Sequence, residues 1–88
     1  MNRFRYLEHI VRGFSNHRRI QILELLARSP ELSVLDVADA LRINFKTASE
    51  HIRRLAAADL VMKRNEGRAV RHALTQRARK VLTFLRTL

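Results

Sequence analysis

The sequence predicts a mainly α-helical fold with one small β-hairpin, an α+β arrangement of about five helices and a two-stranded antiparallel sheet. Apolar residues recur at steps of three and four in five separate segments, which is the periodicity of amphipathic helices. Two short β-capable runs flank a turn signal near residue 67. The chain has 88 residues, so we expect one compact domain over residues 1–88.

The N-terminal third predicts two helices. The first is expected over about 3–14, and its apolar face comprises Phe4, Leu7, Ile10, Val11 and Phe14. Ser15 or Asn16 can cap the second helix, and Pro30 lies just beyond its end. The apolar positions of this second helix are Ile20, Ile22, Leu23, Leu26 and Ala27.

Two shorter helices joined by a tight turn are predicted next. Ser33 and Asp36 have the spacing of a capping box, with Asp in place of the usual Glu. Val34, Val37, Ala38 and Leu41 then follow at helical spacing. Asn44 can cap a helix over 44–58 whose inward positions are Ala48, Ile52, Leu55 and Leu60. Together the two helices predict a helix-turn-helix.

A hairpin and a last helix are expected after Leu60. Residues 60–64 and 69–74 flank Asn65-Glu66-Gly67-Arg68, in which glycine favours a left-handed position. This wing spans 60–74. Thr75 can cap a helix over about 76–87. The order of elements predicts a winged helix-turn-helix.

The charge of the chain is strongly positive. Eighteen Lys and Arg residues stand against eight Asp and Glu, a formal net charge of +10. Residues 42–80 hold 11 basic and three acidic residues, a net charge of +8. Because the charge is concentrated in one stretch, we expect a polyanionic partner. The rival interpretation is that basic residues only keep a small protein in solution.

Several classes of protein are disfavoured by composition. The chain has no cysteine, only two glycines and four histidines, which stand far apart at His9, His17, His51 and His72. These residues supply no glycine-rich phosphate loop, Cys-His or Ser-His-Asp arrangement, so we expect neither an enzyme nor a cofactor or metal site. The N-terminus carries charges, and no run approaches 18 apolar residues, so we expect a soluble, cytoplasmic protein without a membrane partner.

The residues of the central motif resemble the ArsR (SmtB/ArsR) family of winged-helix repressors. The resemblance lies in residues 16–23, 31–41, 47–55 and 60–61 and in the wing residues 66–68, which are spread over the segment 16–68. MarR-type proteins share much of this pattern. The resemblance implies a DNA-binding transcriptional regulator, expected to be a repressor, that pairs through its terminal helices.

Three features depart from the family pattern. Metal-sensing members bear cysteines in the third helix where this sequence has Ser33 and Leu35, which cannot replace thiolates around a soft metal. A second family metal site uses Asp, His and Glu on the last helix, but residues 76–88 contain none of these. Arg42 replaces a glycine often found in the turn, which predicts a mildly strained turn.

The helix over 44–58 is the predicted major-groove element. Recognition helices contact bases mainly with their N-terminal residues, so the expected base contacts are Phe45, Lys46, Thr47, Ser49 and Glu50. The capping residue Asn44 is also expected to bind DNA. Arg53 and Arg54 are the expected phosphate contacts. Phe45 can touch a thymine methyl group or pack on the core, and Glu50 can accept from cytosine or balance Lys46 and Arg54.

Four basic residues lie on the predicted wing, namely Lys63, Arg64, Arg68 and Arg71. Arg68 follows the glycine at the tip, and a narrow minor groove would attract it. The alternative is a solvated arginine on a mobile hairpin.

Apolar residues of the two terminal helices exceed what a small core needs, so we expect a homodimer and an inverted-repeat double-stranded operator. The expected interface residues are Phe4, Leu7, Ile10, Val11, Val81, Leu82, Phe84, Leu85 and Leu88. An RNA-binding winged helix and a protein-interaction module are the rival functions. The sequence identifies no small-molecule effector.

Overall fold

Five helices and one hairpin follow one another in the computed structural model, which describes residues 2–88. The helices are α1 (Arg3–Phe14), α2 (His17–Arg28), α3 (Val34–Leu41), α4 (Phe45–Ala57) and α5 (Gln76–Leu85), and the strands are β1 (Val61–Glu66) and β2 (Ala69–Leu74). The predicted fold class is therefore confirmed. The last helix ends at Leu85, two residues before its predicted end.

Each helix begins at a polar side chain that accepts hydrogen bonds from the first turn. Asn16 rather than Ser15 caps α2. Ser33 Oγ accepts from Asp36 N at 3.1 Å, and Asp36 Oδ2 accepts from Ser33 N at 3.0 Å, so the predicted capping box is present. Arg42 ends α3 in the left-handed region, with φ 56° and ψ 46°. The predicted strain of that turn is thus seen in its backbone.

The hairpin is longer than the sequence predicts. Asn65 pairs with Val70 and Glu66 with Ala69, so the turn consists of Gly67 and Arg68 alone. Gly67 has φ 61°, the left-handed conformation expected of it. The prediction that Asn65 and Glu66 belong to the turn is wrong, because their backbones complete the antiparallel ladder.

The chain before α3 forms a single β-bridge to this hairpin, between Leu32 and His72. His72 N donates to Leu32 O at 2.9 Å, and Glu31 N donates to His72 O at 2.9 Å. His72 itself is 1% exposed, and its Nδ1 lies 2.8 Å from Leu32 O. The base of the hairpin is therefore attached to the segment that leads into α3.

The apolar core lies where α2, α4 and the start of β1 meet. Its largest fully buried apolar side chains are Ile22, Leu23, Leu26, Val37, Ile52, Leu55 and Leu60. Gly13 brings the end of α1 close to Ala58, because a Cβ on Gly13 would lie within 3.0 Å of the Ala58 methyl group. This close approach fixes α1 against the C-terminal end of α4.

Candidate nucleic-acid interface

Helix α4 has one buried face and one open face. Ala48, Ile52 and Leu55 are at most 1% exposed and pack in the core. On the opposite side, Lys46 and Arg53 are exposed. Since 100° separates successive residues in a helix, these two sets must lie on opposite faces. The expected burial of α4 along Ala48, Ile52 and Leu55 is confirmed.

The first turn of α4 combines a cap with exposed side chains. Asn44 Oδ1 accepts from Lys46 N at 2.7 Å and from Thr47 N at 3.2 Å, which leaves the amide NH2 of Asn44 as its remaining donor group. Phe45 is 54% exposed. The alternative in which Phe45 packs into the core is therefore excluded for the isolated chain. Thr47 is exposed and Ser49 half-buried.

Glu50 binds two arginines of its own helix. Arg53 donates to Glu50 from Nε at 3.0 Å and from Nη2 at 2.6 Å, and Arg54 Nε donates at 3.2 Å. These contacts, led by the Arg53 hydrogen bonds, lower the pKa of Glu50 to about 2. Glu50 is thus ionised at neutral pH and offsets part of the charge of Arg53 and Arg54. The alternative in which Glu50 neutralises neighbouring cations has structural support for Arg54. Its second ion-pair partner is Arg53 rather than the expected Lys46.

The basic residues of the wing fall into two groups. Arg64 lies 3.2 Å from Glu31 and 3.3 Å from Glu66, and Arg71 Nη1 donates to Glu31 O at 3.1 Å. These two arginines fasten the hairpin to the chain before α3. Within residues 2–88, Lys63 and Arg68 form no ion pair and are exposed, so their charges face solvent.

A further basic cluster, which the sequence does not predict, lies where α1 and α2 meet α4. Arg19 Nη1 lies 3.4 Å from His51 Nδ1, and Arg19 Nη2 donates to Arg12 O at 3.4 Å. The Nε of Arg19 is buried without a hydrogen-bond partner among the described residues. Burial and the nearby Arg54 lower the pKa of Arg19. The cluster joins residues 32 positions apart, so no local pattern could have revealed it.

The terminal helices carry exposed apolar side chains. Phe4, Leu7 and Val11 on α1 are 80%, 37% and 49% exposed, and Phe84 is 59% exposed. Leu88, beyond the end of α5, is also exposed, whereas Ile10, Val81 and Leu85 are half-buried. Leu82 is only 2% exposed and belongs to the core. The prediction that Leu82 faces a partner is therefore corrected, because this side chain is buried in the core of its own chain, where α5 packs against α2.

The fold and this open helix define a winged helix-turn-helix domain. A profile of the arsR family of bacterial regulatory proteins matches residues 16–63. The chain therefore belongs to the arsR family, a class of transcriptional regulators rather than of enzymes, and the predicted family is confirmed.

Several solved structures have the same fold as this chain. The homodimeric winged helix-turn-helix DNA-binding domain Mb0332 of Mycobacterium bovis is similar, with 27% identity, a TM-score of 0.86 and coverage of 96% of this chain and 78% of that one. HlyU of Vibrio cholerae has 26% identity, a TM-score of 0.82 and coverage of 97% and 94%. NolR of Sinorhizobium fredii, at 22% identity and a TM-score of 0.83 over 92% and 81% of the two chains, shares the fold. A comparison with curated protein sequences found no match.

The thiolate metal site of the family does not fit these residues. Ser33 Oγ is occupied as the cap of α3, and Leu35 offers only an alkyl group, 55% exposed. Neither side chain supplies a ligand for a soft metal. Across residues 2–88, no three His, Asp or Glu side chains come together in a metal-binding arrangement. None of the helices in that range is both long and apolar enough to span a membrane.

Proposed function

We propose that this chain binds double-stranded DNA sequence-specifically as a homodimer and represses transcription. The open face of α4 carries the proposal: the helix is buried along Ala48, Ile52 and Leu55 and leaves Lys46 and Arg53 exposed. The major groove admits one α-helix and displays a distinct donor and acceptor pattern for each base pair. Helix α4 would lie in that groove.

Within the proposed complex, the two ends of α4 have different roles. Lys46, Thr47 and the amide of Asn44 stand at the N-terminal end, where recognition helices contact base edges. Phe45 is exposed beside them and can pack on a thymine methyl group. Ser49 and Glu50 follow one turn later, and Arg53 and Arg54 contact phosphates. Glu50 orients these two arginines through its hydrogen bonds.

The wing is proposed to lie at the minor groove. Arg68 stands in the two-residue turn, the point of the hairpin farthest from the attached base. Its charge is unpaired within residues 2–88, as is that of Lys63, whereas Arg64 and Arg71 hold the hairpin in place. We therefore assign the main wing contact to Arg68 and a secondary one to Lys63. Arg64 and Arg71 would contact DNA only through the side of their guanidinium groups that faces solvent.

A homodimer is supported by the exposed apolar residues of α1 and α5 and by the similar domain Mb0332, which is homodimeric. Two-fold pairing would place two α4 helices about 34 Å apart on one face of the duplex and require an inverted repeat. In sedimentation at tens of micromolar, we expect a species of twice 10.3 kDa, and Phe84→Glu should dissociate it. A wild-type sample that contains only the 10.3 kDa species would exclude the homodimer.

Selection from a random pool of duplex DNA, with duplex RNA in parallel, tests the binding function. A palindromic consensus from DNA alone is the expected result. Enrichment of RNA alone, or weak binding without sequence preference at low salt, would replace this proposal with an RNA-binding or protein-interaction role. Transcription in vitro from a promoter that contains the selected site then tests repression, since increased transcript would indicate an activator.

Arg68 and Arg28 form a matched pair for testing the wing. Both are exposed arginines, but Arg28 is the last residue of α2 and belongs neither to α4 nor to the hairpin. Arg68→Ala should weaken binding to all duplexes and reduce the salt slope by about one. Arg28→Ala should leave the slope unchanged. Equal slopes for both variants would remove Arg68 from the interface.

A further inference from the structure

A groove between α1 and α4 extends the basic surface beyond the helix-turn-helix and the wing. It has a volume of about 290 Å³ and is lined by His9, Arg12, Gly13, Arg53, Arg54, Ala57 and Ala58. Three of these residues are small, and three are arginines from two different helices. The close packing of Gly13 on Ala58 brings these two helices together and so creates the groove.

The charge around this groove is not balanced by the protein. Glu8 lies 3.6 Å from Arg12, and Glu50 is shared between Arg53 and Arg54. Two carboxylates thus face three arginines at the groove. Arg19 adds a fourth positive charge beside Arg54 and Arg12, and its Nε is buried with no partner among residues 2–88.

The geometry suits the oxygens of a phosphate group. Guanidinium groups bind phosphate oxygens through paired, charge-assisted hydrogen bonds, and the Arg12, Arg53 and Arg54 side chains are 59–79% exposed. His9 is occupied in another role, because its Nε2 lies 3.1 Å from Ala57 O and ties α1 to α4. The three arginines are therefore the ligands that the groove offers.

We propose that this groove binds a phosphate group of the DNA backbone, with Arg12 of α1 acting beside Arg53 and Arg54. This inference rests on the proposed function for the source of the phosphate. Arg53 belongs both to the open face of α4 and to the groove, so the two surfaces are continuous. A backbone that flanks α4 in the major groove thus passes the groove, and α1 contributes to the DNA contact.

Variants of α1 test this role without disturbing α4. Arg12→Gln should lower affinity for the selected duplex about three- to tenfold and reduce the salt slope by about one. Arg5→Gln makes the same charge change on an exposed residue about 10 Å along the same helix and should leave the slope unchanged. Glu8→Gln removes the carboxylate that competes for Arg12, so it should strengthen binding.

The outcomes separate this inference from the function on which it rests. If wild-type protein binds a DNA consensus but Arg12→Gln matches Arg5→Gln, the groove is not a backbone contact and the regulator function stands. A second titration uses inorganic pyrophosphate alone, followed by NMR of the arginine Nε–H signals. Pyrophosphate that shifts the Arg12 and Arg54 signals, together with an unchanged DNA slope, would assign the groove to a free anion and overturn the backbone role. If wild-type protein binds no duplex, both proposals fail.

Discussion

Replacing Gly13 by alanine tests how α1 is held against the recognition helix. The added Cβ would lie within 3.0 Å of the Ala58 methyl group and 3.4 Å from Leu60 Cδ1. Ala58 is 1% exposed and has no rotatable side chain, so the helices themselves must separate. Such overpacking costs about 1–3 kcal/mol. Alanine recovers about 1 kcal/mol through its higher helix propensity, so the free energy of unfolding should fall by up to about 2 kcal/mol.

Urea unfolding at one fixed protein concentration measures this change, since dimerisation would make stability depend on concentration. For a domain of this size, a loss of about 2 kcal/mol corresponds to a Tm decrease of about 8–16 °C. Ala58→Gly removes the opposing methyl group, and in the double variant it should restore part of the stability that Gly13→Ala loses. Gly67→Ala serves as the control: its Cβ meets nothing within 4 Å but its φ is 61°, so its cost should be unaffected by Ala58→Gly. A stabilised Gly13→Ala variant, or additive effects in the double variant, would refute the steric argument.

Substitutions at three further positions test other parts of the chain. Arg42→Gly relieves a left-handed residue and should raise the free energy of unfolding by about 0.5–1 kcal/mol, whereas Arg42→Ala should give no such gain in the same urea assay. Burial, followed by the positive charge of Arg19, lowers the pKa of His51 from its usual value of 6.5, whereas Glu50 opposes this shift. His17 and Arg18 add to the lowering. As the pH falls, the unfolded chain therefore takes up the proton before the folded chain does. The contribution of His51 to stability is then present above about pH 6.5 and lost as pH falls through its folded pKa; His51→Gln should flatten this loss relative to wild type in unfolding curves between about pH 5 and 7.5. If Phe45 packs on a thymine methyl group, deoxyuridine at that position of the selected duplex should weaken binding about fourfold, and Phe45→Ala should remove the difference; an equal loss in both proteins would exclude the contact.

Local chemistry made most of the fold predictable. The cap of α3 depends on Ser33 and Asp36, which are three residues apart. The cap of α4 depends on Asn44, which accepts hydrogen bonds from Lys46 N and Thr47 N. Such contacts are visible in the sequence because both partners lie within one helical turn. The buried face of α4 followed from the same 3.6-residue period.

Contacts between distant segments were not predictable in this way. Arg77 Nη2 donates to Tyr6 Oη across 71 positions, and Arg19 meets His51 across 32. The assignment of Leu82 failed for a related reason: an apolar stripe shows that one helix face is covered, but not whether the cover comes from the same chain. The burial of His72 could have been predicted, because His72 lies two residues before Leu74 and so points to the same face of β2.

The attachment of His72 to Leu32 has a mechanical consequence. Leu32 directly precedes Ser33, the N-cap of α3. The bridge from His72 to Leu32 therefore attaches the hairpin to the helix-turn-helix within one residue of the start of α3. In the proposed complex, the distance between α4 and Arg68 is therefore fixed by the protein. The duplex must adjust its own groove width to this span, so flanking steps that deform easily would be favoured even where no side chain touches a base.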